Sequence, residues 1–380
     1  MNSTRESAVT APLVEVFDLT LSENPFAPLP SVLEEVNAAL REGNRYPEFL
    51  PRRLPAVIAA HIGVEPEQVV VGAGATGVAL QIMQTVSGPG RRMVFASPTF
   101  DGYPIMAAMA GLEAVAVPLD SSGEQDLAAM ARAVGERTAL VAVCRPHNPT
   151  GTVPAVAELK SFLFSVPRHV PVILDEAYVE FLPEDERVDV HDLIAHFPNL
   201  VVLRTFSKAY GLAGLRIGYA FGAPELIARI RRLQLPFGTP EYAVAAVRAC
   251  YAASAELAER IRDITAEREK VRTALRHRGI EVPRSRGNFL YLPGPGAHAA
   301  LSAAGIAAKG YADGSARIAV GDPRADAAVL GAFDSRGGRA RRVDRTDRGR
   351  SDRNGGDDAA ARLAIRQSHI RPDAGTRTIR

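Results

Sequence analysis

Residues 205–219 read TFSKAYGLAGLRIGY and follow an apolar run at 200–203 that predicts a buried strand. Lys208 would therefore lie in a glycine-rich turn where that strand ends, and a lysine held there partly out of water can form an imine with an aldehyde. Ser207 and Arg216 beside it supply a hydroxyl and a guanidinium fork, which suit a phosphate. The alternative is a surface lysine on a turn.

The composition indicates a globular protein of two domains or one large one: 380 residues, 47% hydrophobic and 23% charged. The net charge of +2 does not favour a nucleic-acid partner, and no apolar run is long enough to span a bilayer. Residues 1–20 lack the apolar core of a signal peptide. Cys144 and Cys250 lie in apolar runs, and the eight histidines show no ligand spacing with them. We therefore expect buried thiols, no metal site and a cytoplasmic protein.

Short apolar runs rich in β-branched residues alternate with helical patterns in the first two thirds of the chain. The predicted strands are 68–71, 93–96, 114–117, 139–144, 171–174, 200–203 and 217–221, with helices such as 76–86 and 156–165 between them. This alternation indicates an α/β domain with a mostly parallel sheet and helices on both faces. Ligands of such sheets bind at the carboxyl ends of the strands.

The remaining segments predict a smaller α/β domain, an arm and a tail. Residues 241–278 contain hardly a helix breaker and predict one long helix or a kinked pair, while 282–292 and 315–320 give strand signals. A helix at 31–41, with Ser31 as its possible cap, belongs to an arm that we expect to pack on the small domain. The expected boundaries are 1–44 for the arm, 45–277 for the large domain, 278–333 for the small domain and 334–380 for the tail.

The tail, 334–380, is rich in arginine, aspartate and glycine and shows almost no apolar periodicity. We expect it to be disordered. An RNA-binding tail is the alternative, but interleaved aspartates dilute its charge and no aromatic residues interleave with its basic ones.

Two polar motifs follow predicted strands. The segment Asn148-Pro149-Thr150-Gly151 comes after the strand 139–144, and Asp175 ends the next one. Because the carboxyl ends of parallel strands share one edge, the asparagine and the aspartate would face one crevice. Each has a structural alternative, since an Asn-Pro-Thr-Gly sequence is often only a turn and an aspartate often caps the next helix.

Residues 72–77 read GAGATG after an apolar run and formally match the dinucleotide-binding fingerprint of a dehydrogenase. That fingerprint needs an acidic residue at the end of the next strand, where this chain has Ala96-Ser97-Pro98, so the match is weak. The helix that follows the glycines still offers backbone amides near Ala75 and Thr76 to a phosphate.

Together these motifs describe a cofactor with a phosphate, an aldehyde for Lys208 and a ring nitrogen for Asp175. Pyridoxal 5'-phosphate has these three features. A carboxylate at the ring nitrogen keeps that nitrogen protonated, so the ring accepts electrons from a carbanion at the substrate's α carbon.

The chain resembles the fold-type I pyridoxal-phosphate aminotransferases, in the group that holds the histidinol-phosphate and aromatic amino-acid aminotransferases. The resemblance covers residues 21–330, and its motifs stand in the family's order: SENPF at 22–26, NRYPE at 44–48, the glycine turn, NPTG at 148–151, DEAY at 175–178, residues 205–219 and RIAVG at 317–321. It implies an α/β fold with a mostly parallel seven-stranded sheet in a large domain and a small α/β domain beside it.

The resemblance also implies a role for each matching position. Lys208 would be the Schiff-base lysine, Asp175 the partner of the ring nitrogen, and Arg317 the grip on the substrate's α-carboxylate. The other implied cofactor contacts are Asn148 and Tyr178 at the ring's phenolic oxygen, Ala75, Thr76, Thr205, Ser207 and Arg216 at the phosphate, and Phe100 stacked on the ring. Asn24 would contact substrate, and Tyr46 would reach into the partner subunit's site, which implies a homodimer.

The chain departs from the family's pattern at three places. Ser22 stands where the family often has asparagine, and Thr76-Gly77 replaces the Asp-Glu pair common in histidinol-phosphate enzymes. The final helices expected after Gly321 fade out near Asp334, so the tail is either a natural extension or a shifted reading frame.

The implied function is a ping-pong transfer of an amino group from an amino acid to a 2-oxo acid. Phe100, Tyr103 and Phe26 supply aromatic side chains near the expected mouth, which favours aromatic 2-oxo acids, although Tyr46 could instead contact a substrate phosphate. The alternatives are a histidinol-phosphate aminotransferase of histidine biosynthesis, a decarboxylase or lyase using the same cofactor, and a non-catalytic homologue. Arg317 favours transamination over decarboxylation, and the intact set of cofactor residues argues against a non-catalytic protein.

Overall fold

A computed structural model of the protein describes residues 17–334, so residues 1–16 and nearly all of the predicted tail lie outside the described residues. The strands are β1 Phe17–Leu19, β2 Val69–Ala73, β3 Arg92–Ser97, β4 Glu113–Pro118, β5 Thr138–Cys144, β6 Val172–Asp175, β7 Leu200–Thr205, β8 Ile217–Gly222, β9 Phe289–Leu292, β10 Ile306–Gly310 and β11 Ala316–Ala319. The helices are α1 Pro30–Leu40, α2 Arg53–Ile62, α3 Gly74–Thr85, α4 Gly102–Met109, α5 Leu127–Ala133, α6 Val156–Ser165, α7 Val190–His196, α8 Pro224–Arg231, α9 Glu241–Ala252, α10 Ser254–His277, α11 Ala297–Ala303 and α12 Pro323–Gly331.

The predicted mostly parallel seven-stranded sheet is confirmed, with strand order β2-β8-β7-β6-β5-β3-β4. Only β8 runs antiparallel to its neighbours in this sheet. The parallel strands β3, β5, β6 and β7 therefore end at one edge, where Ser97, Cys144, Asp175 and Thr205 are their last residues. This edge carries the cavity described below.

The inner strands of the large sheet are apolar at nearly every position because both of their faces are covered, whereas the edge strand β4 is largely exposed. In β7, Leu200 and Val202 join one buried cluster, and Val201 and Leu203 join the cluster on the opposite face. This alternation explains why short continuous apolar runs located the strands so closely in the sequence.

The second, smaller sheet has the order β1-β10-β11-β9. Strand β1 is parallel to β10, and the other pairs are antiparallel. The sequence pattern missed β1 and β10, because β1 has three residues and β10 reads IAAKG, with a single β-branched residue. The strand signal at 282–292 was too long. Its first part turns away from the sheet, and the Arg286 amide donates to the Gly151 carbonyl at 2.8 Å instead.

The predicted arm divides between the two sheets. Strand β1 pairs with β10 of the small sheet, whereas α1 packs on α9 and buries Val32 and Val36 in the core around the large sheet. The proposed cap at Ser31 is wrong: the helix begins at Pro30 and has no side-chain cap. Proline suits that first position because its missing N–H would have no partner there.

Residues 241–278 form two helices, α9 and α10, which break at Ala253, so the kinked pair was the better of the two alternatives. Among residues 17–334, no helix is both long enough and apolar enough to cross a membrane.

Candidate active site

A cavity of about 530 Å³ lies at the carboxyl edge of the large sheet and is closed on its other side by strands of the small sheet. Most of the residues predicted for the site line it: Ala75, Thr76, Phe100, Asn148, Asp175, Tyr178, Thr205, Ser207, Lys208, Arg216 and Arg317. Asn24 and Tyr46 do not line it. Ala75 and Arg317, which are 242 positions apart in the sequence, thus line one space.

One end of the cavity is rich in hydrogen-bond donors. Helix α3 starts there, and the amides of Ala75 and Thr76 lie in its first turn, where backbone N–H groups have no partner within the helix. Arg216 donates to the Thr76 hydroxyl at 3.1 Å and to the Ala213 carbonyl at 2.9 Å. We call Ala75, Thr76, Ser207 and Arg216 the donor cradle; its helix N-terminus and guanidinium both favour an anion.

Two glycines permit this close approach. A Cβ at Gly218 of strand β8 would collide with the Ala75 backbone nitrogen, and a Cβ at Gly74 would collide with the Arg216 guanidinium. Gly74 also has a φ of +71°, a conformation that other residues rarely adopt. The GAGATG sequence therefore serves a tight strand-to-helix turn beside Arg216.

Thr205 holds Ser207 of the donor cradle in place. The Thr205 hydroxyl donates to Ser207 Oγ at 3.0 Å and accepts from the Ser207 amide at 3.1 Å. Because the Ser207 oxygen is the acceptor, its own hydrogen can be donated to an anion.

Lys208 is half-buried and donates from Nζ to the Ser22 carbonyl at 2.9 Å. Its backbone is fixed by Asn24, whose amide donates to the carbonyls of Lys208 and Ala209, both at 3.0 Å. The Asn24 oxygen accepts from the Phe26 amide at 3.0 Å. The side chain of Asn24, which was predicted to contact substrate, therefore makes its hydrogen bonds with backbone groups and holds the turn that carries Lys208.

Asp175 is buried at the end of β6 and is held by three groups. Its Oδ2 accepts from the Tyr103 hydroxyl at 2.7 Å and lies 3.9 Å from Cys144 Sγ, and its Oδ1 accepts from the Ala177 amide at 3.0 Å. Burial raises the pKa of Asp175 above its ordinary value, and the hydrogen bond from Tyr103 opposes that rise. A cation beside this carboxylate would favour its charged form.

Tyr103 does not lie at the mouth of the cavity, where it was predicted. It lies on α4 one helical turn after Phe100, is fully buried, and meets the Phe100 ring edge-on at 5.7 Å between centroids. Phe26 is absent from the lining, and its ring packs against the Arg260 guanidinium, 5.6 Å from the ring centroid. Of the three aromatic candidates, Phe100 and the buried Tyr103 line the cavity, and Phe26 does not.

Arg317 joins the two sheets at the other end of the cavity. Its Nη1 donates to Asn148 Oδ1 at 2.6 Å, and its Nη2 donates to the Thr20 carbonyl at 2.7 Å. Its Nε is buried without a hydrogen-bond partner among the described residues. A buried N–H without a partner is costly, so a ligand acceptor here would be stabilising.

Asn148 lies in a loop that its neighbours hold tightly. The His147 amide donates to the Thr152 carbonyl at 2.8 Å, and His147 Nδ1 lies 2.9 Å from the Thr150 hydroxyl. Burial lowers the pKa of His147 to about 3, so the ring is neutral at pH 7. A Cβ at Gly151, whose φ is +77°, would collide with Ser285 of the segment leading to β9.

Tyr46 lies outside the cavity of its own chain and is 85% exposed. Its ring contacts Phe237 at 5.0 Å between centroids, and Phe237 contacts Phe49 at 5.1 Å. Tyr46 and Phe49 lie in the segment between α1 and α2, and Phe237 lies in the segment between α8 and α9.

An ion pair that was not predicted from the sequence lies at the mouth of the cavity. Lys309 of β10 and Asp101, which follows Phe100, both line the cavity, and Lys309 Nζ lies 2.9 Å from Asp101 Oδ2. The scarcity of lysine was a usable signal, because Lys309 is one of four in the chain. Its partner could not be inferred, since β10 was not predicted.

The family model for aminotransferases of class I and II matches residues 14–327. The chain belongs to this family. It is a pyridoxal-phosphate-dependent aminotransferase of the histidinol-phosphate and aromatic amino-acid type.

Curated relatives and solved structures agree with this assignment. The chain is 46% identical over 274 residues to an aromatic amino acid aminotransferase of Cutibacterium acnes, covering 72% of this chain and 78% of the relative. It is 42% identical over 316 residues to one of Rhodococcus jostii, covering 82% and 88%. A histidinol-phosphate aminotransferase of Sinorhizobium meliloti, solved with pyridoxal 5'-phosphate, superposes with a TM-score of 0.77 at 28% identity, covering 84% of this chain and 89% of that one.

Proposed function

We propose that this aminotransferase binds pyridoxal 5'-phosphate in the cavity and transfers amino groups between aromatic amino acids and 2-oxo acids. The observation that carries the proposal is the placement of Lys208 in one cavity with an anion-binding donor cradle and a buried carboxylate, Asp175. The donor set fits the cofactor, since it offers donors for a phosphate, an amine for an aldehyde and an acceptor for a ring N–H.

Each lining residue then has a task. The donor cradle, with Thr205 behind it, would hold the phosphate, and Asn148 and Tyr178 would hold the phenolic oxygen. Asp175 would keep a proton on the ring nitrogen, and Lys208 would carry the link to the aldehyde and move a proton at the substrate's α carbon. Bound in this way, the cofactor supplies an electron sink for the α carbon. Phe100 would cover the ring face.

Arg317 supports transamination in particular. Its guanidinium is buried beside Asn148, and Nε has no hydrogen-bond partner among residues 17–334. A planar carboxylate suits this group, because the fork of N–H donors matches two carboxylate oxygens. An enzyme that holds the α-carboxylate by charge-assisted bonds retains it rather than releasing it as carbon dioxide.

The charges of the lining favour an uncharged substrate side chain. The lining includes four cationic side chains, of which Lys208 and Arg216 are assigned to the cofactor and Arg317 to the α-carboxylate. The fourth, Lys309, is neutralised by Asp101. No lining cation is thus left uncommitted for a substrate phosphate, while Phe100 and Met106 supply apolar wall.

The test of the substrate class compares kcat/KM for phenylpyruvate with that for histidinol phosphate in the reverse direction. We expect the aromatic substrate to be preferred, and added inorganic phosphate to leave its kcat/KM unchanged. A preference for histidinol phosphate that is lost when phosphate is added would instead establish the second candidate, a histidinol-phosphate aminotransferase, with Lys309 released from Asp101 to bind the substrate.

We also propose a homodimer. Large apolar side chains are exposed around Tyr46. We call them the aromatic patch, which consists of Tyr46, Phe49, Leu50, Leu233, Leu235 and Phe237. Such patches are unusual on monomers and mark interfaces. A second copy seated there would cover the patch and allow Tyr46 to approach the partner's cavity.

Sedimentation equilibrium tests the dimer. The wild-type chain should sediment as a dimer at micromolar concentration, and the double variant Tyr46→Ser, Phe237→Ser should shift toward monomer. Phe164→Ser is the matched control, because Phe164 is 76% exposed elsewhere on the surface. A monomeric wild-type chain would contradict the proposal.

A further inference from the structure

Tyr103 forms a hydrogen bond that the predicted roles do not use. Its ring lies on α4 with no exposed surface, and its hydroxyl donates to Asp175 Oδ2 at 2.7 Å. A buried tyrosine hydroxyl needs a partner, and here the partner is the carboxylate assigned to the cofactor's ring nitrogen. The bond therefore connects α4 directly to the proposed chemistry.

The groups around Asp175 are few among the described residues. Tyr103 approaches from α4 and Cys144 from β5, with the Ala177 amide and the Glu176 side chain following along the chain. Burial raises the pKa of Asp175, Glu176 acts in the same direction, and the hydrogen bonds from Tyr103 and Ala177 lower it. Burial likewise raises the pKa of Tyr103 well above its ordinary value, so the shared hydrogen stays on the phenol.

We propose that Tyr103 is a positioning residue of the reaction, which makes Asp175 a weaker base and so keeps the shared proton on the cofactor's ring nitrogen. A proton between a carboxylate and a pyridine nitrogen rests on the more basic atom. A donor hydrogen bond to the carboxylate stabilises its charged form and moves the proton toward the nitrogen. The inference rests on the proposed function, because it requires the cofactor's ring nitrogen to face Asp175.

The same side chain supports a second proposed contact. Tyr103 meets the Phe100 ring edge-on, at 5.7 Å and 83°, and lies 6.4 Å from the Phe95 ring. Tyr103→Phe should preserve these ring contacts and remove only the hydroxyl. The variant therefore separates the electrostatic role of the phenol from its packing role.

The experiment uses the full chain loaded with cofactor that is isotopically labelled at the ring nitrogen, and nitrogen NMR reports whether that atom is protonated. Since one pKa unit corresponds to a tenfold change in proton distribution, loss of the hydrogen bond should shift the proton toward Asp175 by about tenfold. The signal of Tyr103→Phe should move toward the unprotonated position, and kcat should fall by about tenfold in parallel. Tyr291→Phe is the control, because its hydroxyl also has a hydrogen-bond partner, Ser315 Oγ at 2.6 Å, but lies outside the cavity lining.

The outcomes separate this inference from the proposed function. A wild-type chain that does not bind the labelled cofactor would refute the proposed function itself. A wild-type chain with a protonated ring nitrogen, together with a Tyr103→Phe signal at the same position, would overturn the role of Tyr103 alone. If Tyr103→Phe does not fold, fluorotyrosine at position 103 keeps the size and donates more strongly, so its signal must stay at the protonated position. Movement toward the unprotonated position would refute the inference.

Discussion

The two ends of the cavity are built from different parts of the chain. At the proposed cofactor end, Asp175 ends strand β6 and Lys208 follows strand β7. The donor cradle lies next to strands β2, β7 and β8 of the same sheet. At the proposed substrate end, Arg317 comes from the small sheet and donates to Asn148 of the large-sheet side and to the carbonyl of Thr20, next to β1. The geometry of the proposed cofactor end therefore depends on one sheet. The geometry of the proposed substrate end depends on how the two sheets and the arm pack together.

This difference predicts two kinds of defect. Changes at the cofactor end should alter retention of pyridoxal phosphate, because the groups concerned share a single scaffold. Changes at the substrate end should lower kcat/KM while the cofactor stays bound. The following variants test that separation.

The largest effect is expected for Lys208→Ala. Loss of the amine should lower kcat by about four orders of magnitude and abolish the absorbance of the covalently linked cofactor, while the donor cradle still retains some cofactor without a covalent link. Lys160→Ala is the control, since Lys160 pairs with Asp192 on the surface at 2.9 Å. Borohydride reduction that links the cofactor to another lysine in Lys208→Ala would show the assignment to be wrong.

Arg317→Lys should separate the two ends of the cavity. Lysine keeps the charge but loses the fork of N–H donors, so it would hold a carboxylate less well. The loss of transition-state stabilisation should be about 2 kcal/mol, which lowers kcat/KM for every amino-acid donor by roughly 30-fold. The cofactor spectrum should be unchanged. Arg278→Lys, at a surface pair with Asp334, is the matched exchange and should have no effect on kcat/KM. An unaltered kcat/KM in Arg317→Lys would remove Arg317 from the substrate end.

Gly218→Ala should damage the cofactor end. The added Cβ would meet the Ala75 nitrogen, so α3 must shift, and overpacking of this kind costs about 1.5 kcal/mol of unfolding free energy. The dissociation constant of pyridoxal phosphate should rise by about tenfold, because the donor cradle is displaced. Gly135→Ala, where a Cβ meets no atom within 4 Å, should change neither quantity. Equal cofactor affinity in both variants would show that the cradle does not bind the phosphate.

Asn24→Ala is expected to have the smallest effect. It removes two hydrogen bonds to the carbonyls of the lysine turn, so kcat should fall by about fivefold, or about 1 kcal/mol, while KM stays near its wild-type value. Asn199→Ala is the control: it also removes a buried amide bond to a carbonyl, that of Val170, but is remote from the cavity lining. A rise in KM at constant kcat would instead restore Asn24 to the predicted substrate contact.

The sequence brought together the residues of the proposed cofactor end because their signals are local. Asp175, Asn148 and Lys208 each follow a short apolar strand, and parallel strands bring their carboxyl ends to one edge whatever the rest of the chain does. The large sheet could be predicted for the same reason, since burial on both faces makes its inner strands apolar at nearly every position.

The substrate end was less accessible because its contacts join distant segments. Lys309 meets Asp101 only after β10, which lacks a strand pattern, is placed in the small sheet. Tyr103 was assigned to the mouth because its residue type suits a wall, and only the packing of α4 turns its hydroxyl onto Asp175.

The sequence by itself determined the family, the large sheet and the set of side chains able to hold a phosphate, an aldehyde and a ring nitrogen. Strand periodicity and residue type fix these features, and both are written along the chain. The tertiary structure decided that Asn24 holds the lysine turn, that α1 packs on α9, and that Arg317 bridges the two sheets. Such contacts depend on the orientation of whole elements, which is set by the sum of many weak packing interactions rather than by any local pattern.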